Sequence, residues 1–262
     1  MSAPLSLTFL GTGTSMGVPV AGGFGSEDAG RDPRDERYRT SAWVRTKHAS
    51  IVIDIGPEFR LQTLRSGIRH IDQVLITHEH TDHIGGLDDL RPFNYMQEAA
   101  IPVITHPRTE ACIRTRFNYM FEPGKTPGSV DLDFLPMRRH VCGDVDITPL
   151  PVSHGTLEIL GFRLNDLVYI TDANHIPEST FDLARGADVV VLNGLRWEPE
   201  HPTHFTIPEA VEIAKRIGAR ETYFVHMSSH VRHSEINRRL PEGMFLAYDQ
   251  QMVSVGGRAA SL

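Results

Sequence analysis

The sequence predicts a single α/β domain, and three observations predict it. Strand-like and helix-like segments alternate along most of the chain. Several apolar strand-like runs end in one histidine or aspartate. No Pro-, Gly- or Ser-rich linker divides residues 1–262. In α/β folds, parallel strands bring their carboxyl ends to one rim, and side chains at those ends gather into a site.

Residues 5–10 read as a strand opening into Gly11-Thr12-Gly13-Thr14, a weak signal that on its own marks only a tight bend. Residues 41–47 and 50–55 predict a hairpin, and 57–66 a helix with Pro57 in its first turn. The apolar runs 71–77 and 101–106 predict strands, and 108–120 carries apolar residues at helical spacing. A strand over 145–153 is followed by 162–165 and 167–171, paired across the turn dipeptide Asn165-Asp166. Residues 189–193 predict a buried strand, and 207–217 an amphipathic helix entered at Thr206 with Pro208 near its start. Strands are expected again at 221–225 and 244–248.

Residues 92–140 are expected to form a lid or an inserted surface. Phe93, Tyr95, Phe117, Tyr119 and Phe121 stand there among Arg91, Arg114 and Arg116. These rings pack on the core or on a homodimer interface, or else stack a base or ribose. The turn-rich stretch 121–128 is expected to be mobile.

At 29.3 kDa with 40% hydrophobic residues the chain can bury a substantial core. A net charge of −7 leaves no overall basic face, which argues against wholesale nucleic-acid binding. Two cysteines make no disulfide framework, and neither a signal peptide nor a membrane span is visible, so a cytoplasmic enzyme is expected.

The chemistry concentrates in His78-Glu79-His80-Thr81-Asp82-His83, directly after the 71–77 strand. Imidazole nitrogen and carboxylate oxygen are ligands that suit Zn²⁺ and its first-row neighbours, and crowding them costs stability unless a cation sits between them. Two histidines one residue apart project to the same side of an extended segment, and Asp82 and His83 can turn toward a second position. One hexapeptide cannot close two coordination spheres, so later strand ends must supply the rest. His154, Asp172 and His226 each follow such a strand. Taken singly, a strand-end aspartate caps helices as often as it binds metal, and a strand-end histidine is often merely hydrogen-bonded.

The order H-x-H-x-D-H, then His154, Asp172 and His226, with the N-terminal Gly-Thr-Gly-Thr turn, resembles the metallo-β-lactamase fold superfamily over residues 7–255. The resemblance implies a four-layer αβ/βα sandwich with two divalent metal ions at one rim, Zn²⁺ first and Mn²⁺ second. His78, His80 and His154 would hold one ion, Asp82, His83 and His226 the other, and Asp172 would bridge them. An aspartate at the bridging position is similar to the phosphodiesterase and thioesterase branches, since lactamases proper usually carry a cysteine there. Residues 10–19, Asp32-Pro33-Arg34, Arg39-Thr40-Ser41-Ala42, Asp88-Asp89-Leu90-Arg91-Pro92-Phe93-Asn94, 116–121, 240–243 and Ala247-Tyr248-Asp249 resemble the family of the phosphonate-utilisation cyclic phosphodiesterase, and more distantly ribonuclease Z. Members of that family commonly carry a Cys cluster after the Val-Pro pair. Here Ala21-Gly22-Gly23-Phe24-Gly25-Ser26-Glu27-Asp28 has none, so no structural zinc is expected and His230 and His233 lose the role of its distant ligand.

The resemblance implies a hydrolase in which a metal-bridging hydroxide attacks a small cyclic or nucleotide-like phosphodiester. His204 matches a family histidine near the leaving group, and Asp82 is either a ligand alone or also a proton acceptor. Asp54 is expected to hydrogen-bond the metal loop from behind rather than to coordinate a metal directly, the less favoured reading. Arg196 is a phosphate clamp or a solvated side chain. Ser228 and Ser229 bond phosphate or simply form the turn. His201 is expected to be a solvent-exposed neighbour of His204. The alternatives are a ribonuclease Z-like endonuclease, a thioesterase or lactonase of the same fold, and, least favoured, a non-catalytic metal- or nucleotide-binding module.

Overall fold

The computed structural model describes residues 3–23, 32–122, 124 and 128–256. Most of the cysteine-free loop, 24–31, and positions 123 and 125–127 of the turn-rich stretch lie outside the described residues.

Two seven-stranded sheets face each other. The first contains β1 (Leu5–Gly11), β2 (Ser41–Arg45), β3 (Ser50–Ile53), β4 (Gln73–Leu75), β5 (Ile101–Ile104) and β6 (Leu132–Phe134), with β14 (Met252–Val255) closing its far edge in the order β14-β1-β2-β3-β4-β5-β6. The second contains β7 (His140–Cys142), β8 (Val145–His154), β9 (Leu157–Leu164), β10 (Leu167–Tyr169), β11 (Val189–Asn193), β12 (Glu221–Val225) and β13 (Met244–Leu246), in reverse numerical order. Strands β3 to β6 run parallel, as do β10 to β13, so each sheet presents a row of carboxyl ends.

Side-chain alternation builds the layers. In β11, Val189 and Val191 enter the core between the sheets, while Val190 and Leu192 face outward. That outward face is covered by α5 (Glu178–Ala184), α6 (Ile207–Ile217) and α7 (His233–Ile236) through Phe181, Ile207, Ala210, Ala214 and Ile236. The first sheet is covered by α1 (Phe59–Ser66), α2 (Thr81–Ile84), α3 (Arg91–Gln97) and α4 (Pro107–Arg116) through Phe59, Ile84, Phe93 and Ile113. A strand apolar on both faces is stable only when both are covered, which is why the architecture has four layers. Each fully buried aliphatic side chain contributes roughly 1.5–3 kcal/mol to that packing.

Several boundaries differ from the sequence expectation. α1 starts at Phe59 rather than Pro57 and stops at Gly67, whose φ of 69° is costly for residues with a Cβ. The helix expected over 108–120 ends at Arg116, and a 3-10 turn over Asn118–Met120 follows. Residues 162–164 are only the end of a longer strand, β9, and Asn165 belongs to the turn after it. The short edge strands β6 and β7 were absent from the reading, because three residues with half-exposed side chains carry little periodicity. Residues 92–140 are part of the fold rather than an insertion: β5 and β6 extend the first sheet, and α3 and α4 cover it. Phe117, Tyr119 and Phe121 pack against that core, and Tyr119 donates to Asp88 Oδ2 at 2.6 Å.

The Gly-rich turn has a steric requirement beyond a bend. A Cβ on Gly11 would stand 2.0 Å from the Arg39 carbonyl oxygen. The strand segment behind the turn carries a fully buried guanidinium, Arg37, paired with Asp35 at 2.7 Å. Asp35 also accepts from the His233 backbone N–H at 2.8 Å, tying α7 to this segment. Breaking a buried pair leaves an uncompensated charge, so Asp35→Ala should cost about 3–5 kcal/mol. A urea midpoint indistinguishable from the parent protein's would show that another group, such as Asp249, carries that charge.

Candidate metal centre

The ligand-type residues converge where the carboxyl ends of the two sheets meet. His78, His80 and His154 form one group and Asp82, His83, Asp172 and His226 a second; within each, the potential ligand atoms lie within 4.8 Å of one another. All but His80 are buried. β4 delivers His78 and His80, and α2 turns Asp82 and His83 inward. His154 ends β8, Asp172 lies just past β10, and His226 follows β12. Asp172 and His226 adopt left-handed φ values of 62° and 58°, conformations that cost side-chain-bearing residues about 1–3 kcal/mol each and cluster at functional sites.

Hydrogen bonds from behind set which nitrogen each ring presents. His83 Nδ1 donates to Asp54 Oδ2 at 2.7 Å, and Asp54 also accepts from the Thr77 backbone N–H at 2.8 Å and hydroxyl at 2.9 Å. Asp54 itself sits at φ 59°. His83 Nε2 is thereby left buried without a hydrogen-bond partner, 3.1 Å from Asp82 Oδ2 and 3.5 Å from Asp172 Oδ2. His154 Nδ1 faces the carbonyls of Asp172 at 2.7 Å and Thr203 at 2.9 Å, so it carries the proton and Nε2 is free. Thr40 gives its hydroxyl hydrogen to the Gly13 carbonyl, and its oxygen can then accept from His226 Nδ1 at 3.3 Å. His78 Nε2 and His80 Nδ1 approach to 3.0 Å, as two ligands aimed at one ion do.

Electrostatics agree with that use. Burial pushes His78 well below its ordinary pKa, lowers His80, and brings His226 down to about 4, which keeps these rings neutral and able to donate a lone pair at pH 7. His83 goes the other way. Burial opposes its charge, but Asp172, Asp82 and Asp54 outweigh burial and raise its pKa well above the usual value. An orphaned imidazole nitrogen between two buried carboxylates is a place for a cation, and the neutral-nitrogen and oxygen donor set fits a divalent one.

The remaining expected site residues take distinct places. His204 stands against the cluster without belonging to either ligand group: its Nε2 is 3.3 Å from Asp172 Oδ1, and its side chain is 13% exposed. Arg196 turns to the carbonyls of Pro199 and Glu200, so in this conformation it braces its own loop rather than clamping phosphate. Ser228 lies just beyond His226 with its hydroxyl oxygen buried and lacking a hydrogen bond, and Ser229 is buried beside it. Glu79 accepts from Arg108 Nε at 2.7 Å and Thr109 Oγ1 at 2.8 Å. Burial opposes its charge, yet these bonds hold its carboxyl at about 2, fastening the histidine loop to α4. Sequence reasoning missed Thr40 and Thr77, whose only signal is proximity to the Gly-rich turn and the ligand strand. It also set aside His201, which is half-buried beside His204.

A beta-lactamase superfamily domain profile matches residues 49–227. The chain belongs to the beta-lactamase superfamily. It has the metallo-β-lactamase fold. A solved diphosphatase of the PhnP family is 38% identical and superposes with a TM-score of 0.89, covering 97% of this chain and 98% of that one. An octanoyltransferase of Porphyromonas gingivalis is 36% identical over 92% of this chain and 49% of its own length. A ribonuclease Z of Bradyrhizobium diazoefficiens is 26% identical over 74% of this chain and 64% of its own length. The chain thus spans about half of the first of these two curated relatives and under two thirds of the second.

Two outcomes are expected for this superfamily member. The metal-free His83 ring is charged at pH 7, and a cation at Nε2 must displace that proton. Zn²⁺ uptake should therefore release about one proton and tighten as pH rises, which calorimetry in buffers of different ionisation enthalpy measures. Uptake without proton release would contradict the charged ring. Asp54→Ala should weaken metal binding about 10–100-fold, read by metal analysis after competition with a chelator.

Proposed function

We propose that the protein is a binuclear metal-dependent phosphodiesterase acting on small cyclic or nucleotide-like phosphodiesters and related phosphoanhydrides. Two divalent cations, zinc first and manganese second, are assigned to the two ligand groups. When bound, they supply Lewis-acid charge to a phosphoryl oxygen and acidify water. The observation that carries the reading is His204: an imidazole outside both ligand groups, stacked at 5.0 Å on His226 and within reach of Asp172. An alkoxide leaving group needs a proton, and a histidine at the rim of the cluster supplies it. In the reaction a P–O bond forms to a water oxygen and the P–O bond to the leaving oxygen breaks. The leaving oxygen takes a proton from His204 Nε2. Asp82, whose carboxyl His83 keeps ionised against the effect of burial, accepts the proton released by the attacking water. The PhnP-family diphosphatase, at 38% identity, supports phosphorus chemistry.

Acyl-ester hydrolysis is the second reading, favoured by the similarity to an octanoyltransferase. That name belongs to a protein twice as long as the matched region. Cys142 offers no route to an acyl-enzyme, because burial pushes its thiol up to about 11. A ribonuclease Z-like role has the identity to that enzyme in its favour and the net charge of −7 against it.

The metal-loaded protein should hydrolyse bis(p-nitrophenyl) phosphate far faster than p-nitrophenyl phosphate or p-nitrophenyl acetate. A panel of ribose 1,2-cyclic phosphate, 2′,3′- and 3′,5′-cyclic nucleotides, nucleoside diphosphates and precursor tRNA then ranks the substrates. Preference for the acetate sinks the phosphodiesterase reading, and turnover confined to precursor tRNA favours the endonuclease. His204→Ala should lower kcat on an alkyl diester about 10²–10⁴-fold with unchanged metal content. Loss of metal instead would make His204 a ligand.

A further inference from the structure

His204 is held from behind by a residue with no part in the reaction described above. The Nδ1 atoms of His201 and His204 lie 3.1 Å apart, with ring centroids 5.0 Å apart. Two imidazole nitrogens approach that closely when one donates a proton and the other accepts it. The surroundings decide which. The Thr203 backbone N–H points to His201 Nδ1 at 3.4 Å and can only donate, whereas the Thr203 hydroxyl lies between the rings, 3.0 Å from His204 Nδ1 and 3.3 Å from His201 Nδ1, able to accept from the first and donate to the second. The backbone N–H makes His201 Nδ1 the acceptor, with its own proton on Nε2. His204 Nδ1 is then the donor, and His204 Nε2 is turned toward Asp172 Oδ1.

We propose that His201 is a positioning residue: by accepting from His204 Nδ1–H, it fixes the plane of the doubly protonated, proton-donating ring so that Nε2–H faces the leaving oxygen, and it leaves the ring as the Nδ1–H tautomer once that proton is given. The proposal rests on the acid role given to His204 above. When Nε2 releases its proton to the leaving oxygen, the Nδ1–H bond to His201 persists, and the ring remains in place for the next turnover.

The loop carrying both histidines is built to hold this geometry. The Thr203 carbonyl accepts from the ligand His154 at 2.9 Å. Asn174 Nδ2 donates to the Pro202 carbonyl at 2.9 Å, and the Phe205 N–H to the Ala173 carbonyl at 2.8 Å. Pro202 fixes one backbone dihedral between the two rings. The segment is tied at three points to the rim that bears His154 and Asp172, so the position of His204 follows the metal ligands. His201 bonds within this segment and serves no strand or helix, and its removal should leave the fold intact.

The test uses the Mn²⁺-loaded full-length protein and two substrates, the p-nitrophenyl and phenyl esters of thymidine 5′-phosphate. Their leaving groups differ in the need for a proton. His201→Ala should lower kcat on the phenyl ester about 10-fold or more, the scale for losing a group that orients a functional histidine. It should change the p-nitrophenyl ester far less, with KM, metal content and thermal midpoint close to the parent's. His201→Asn, whose amide oxygen can accept from His204 Nδ1, should recover most of the loss. A uniform loss on both esters, no loss on either, or depleted metal would overturn the proposal. His204→Ala in the same series separates the two readings. If it discriminates between the esters and His201→Ala does not, the positioning role alone is wrong. If His204→Ala fails to discriminate, the acid role falls and the positioning role with it.

Discussion

Asp82, His83, Asp172 and His226 are packed together almost without solvent, and two of the four are carboxylates. Removing charged groups from water costs several kcal/mol per ion unless opposite charge is placed among them. In the metal-free protein the charge comes from His83, which three carboxylates hold protonated. With Nδ1 taken by Asp54, His83 Nε2 lies buried between Asp82 and Asp172 without a hydrogen bond of good geometry. The rest of the molecule keeps this unfavourable cluster assembled, and its donor set suits a divalent cation.

Rigid sheet ends provide the restraint. Tyr169, Val191, Tyr223 and Val225 pack against Phe9, Val44 and Ile53 between the sheets, anchoring the strands that lead to Asp172, His226 and Asp54. Three residues at the centre, Asp54, Asp172 and His226, have positive φ. Such conformations persist only where surrounding structure over-determines them. Here Thr77 and His83 donate to Asp54, His226 donates to Thr40, and Asn193 exchanges two hydrogen bonds with the Ala173 backbone.

The loop from His201 to Thr206 joins the metal rim to the outer helix layer. Its last residue caps α6 with a reciprocal Thr206–Glu209 pair, and its middle residues bond His154 and the end of the Asp172 segment. One short stretch therefore holds both His154, a member of the first ligand-type group, and the imidazole beside it. His204 thus stands against the cluster although it lies outside both ligand-type groups.

Much of this was readable in one dimension. Asp82 and His83 follow His78 and His80 within one turn, and an apolar strand precedes them, so local geometry alone brings these four together. His154, Asp172 and His226 were legible as strand ends because alternation and β-branched runs define where strands stop. The residues around them were not. Thr40 and Thr77 are ordinary strand-end threonines in sequence, and His201 is an ordinary loop histidine. Their roles arise from contacts between segments far apart in the chain, such as Thr40 with His226 and Asp54 with His83. Arg196 shows the converse: its sequence position suits a phosphate clamp, but loop geometry turns the guanidinium to nearby carbonyls. By itself, then, the sequence determined the ligand types, their order and the layered α/β plan, because these follow from local periodicity and donor chemistry. Only the tertiary structure decided each imidazole's free nitrogen and the neighbour behind His204, because those depend on hydrogen bonds that exist only once the two sheets are packed.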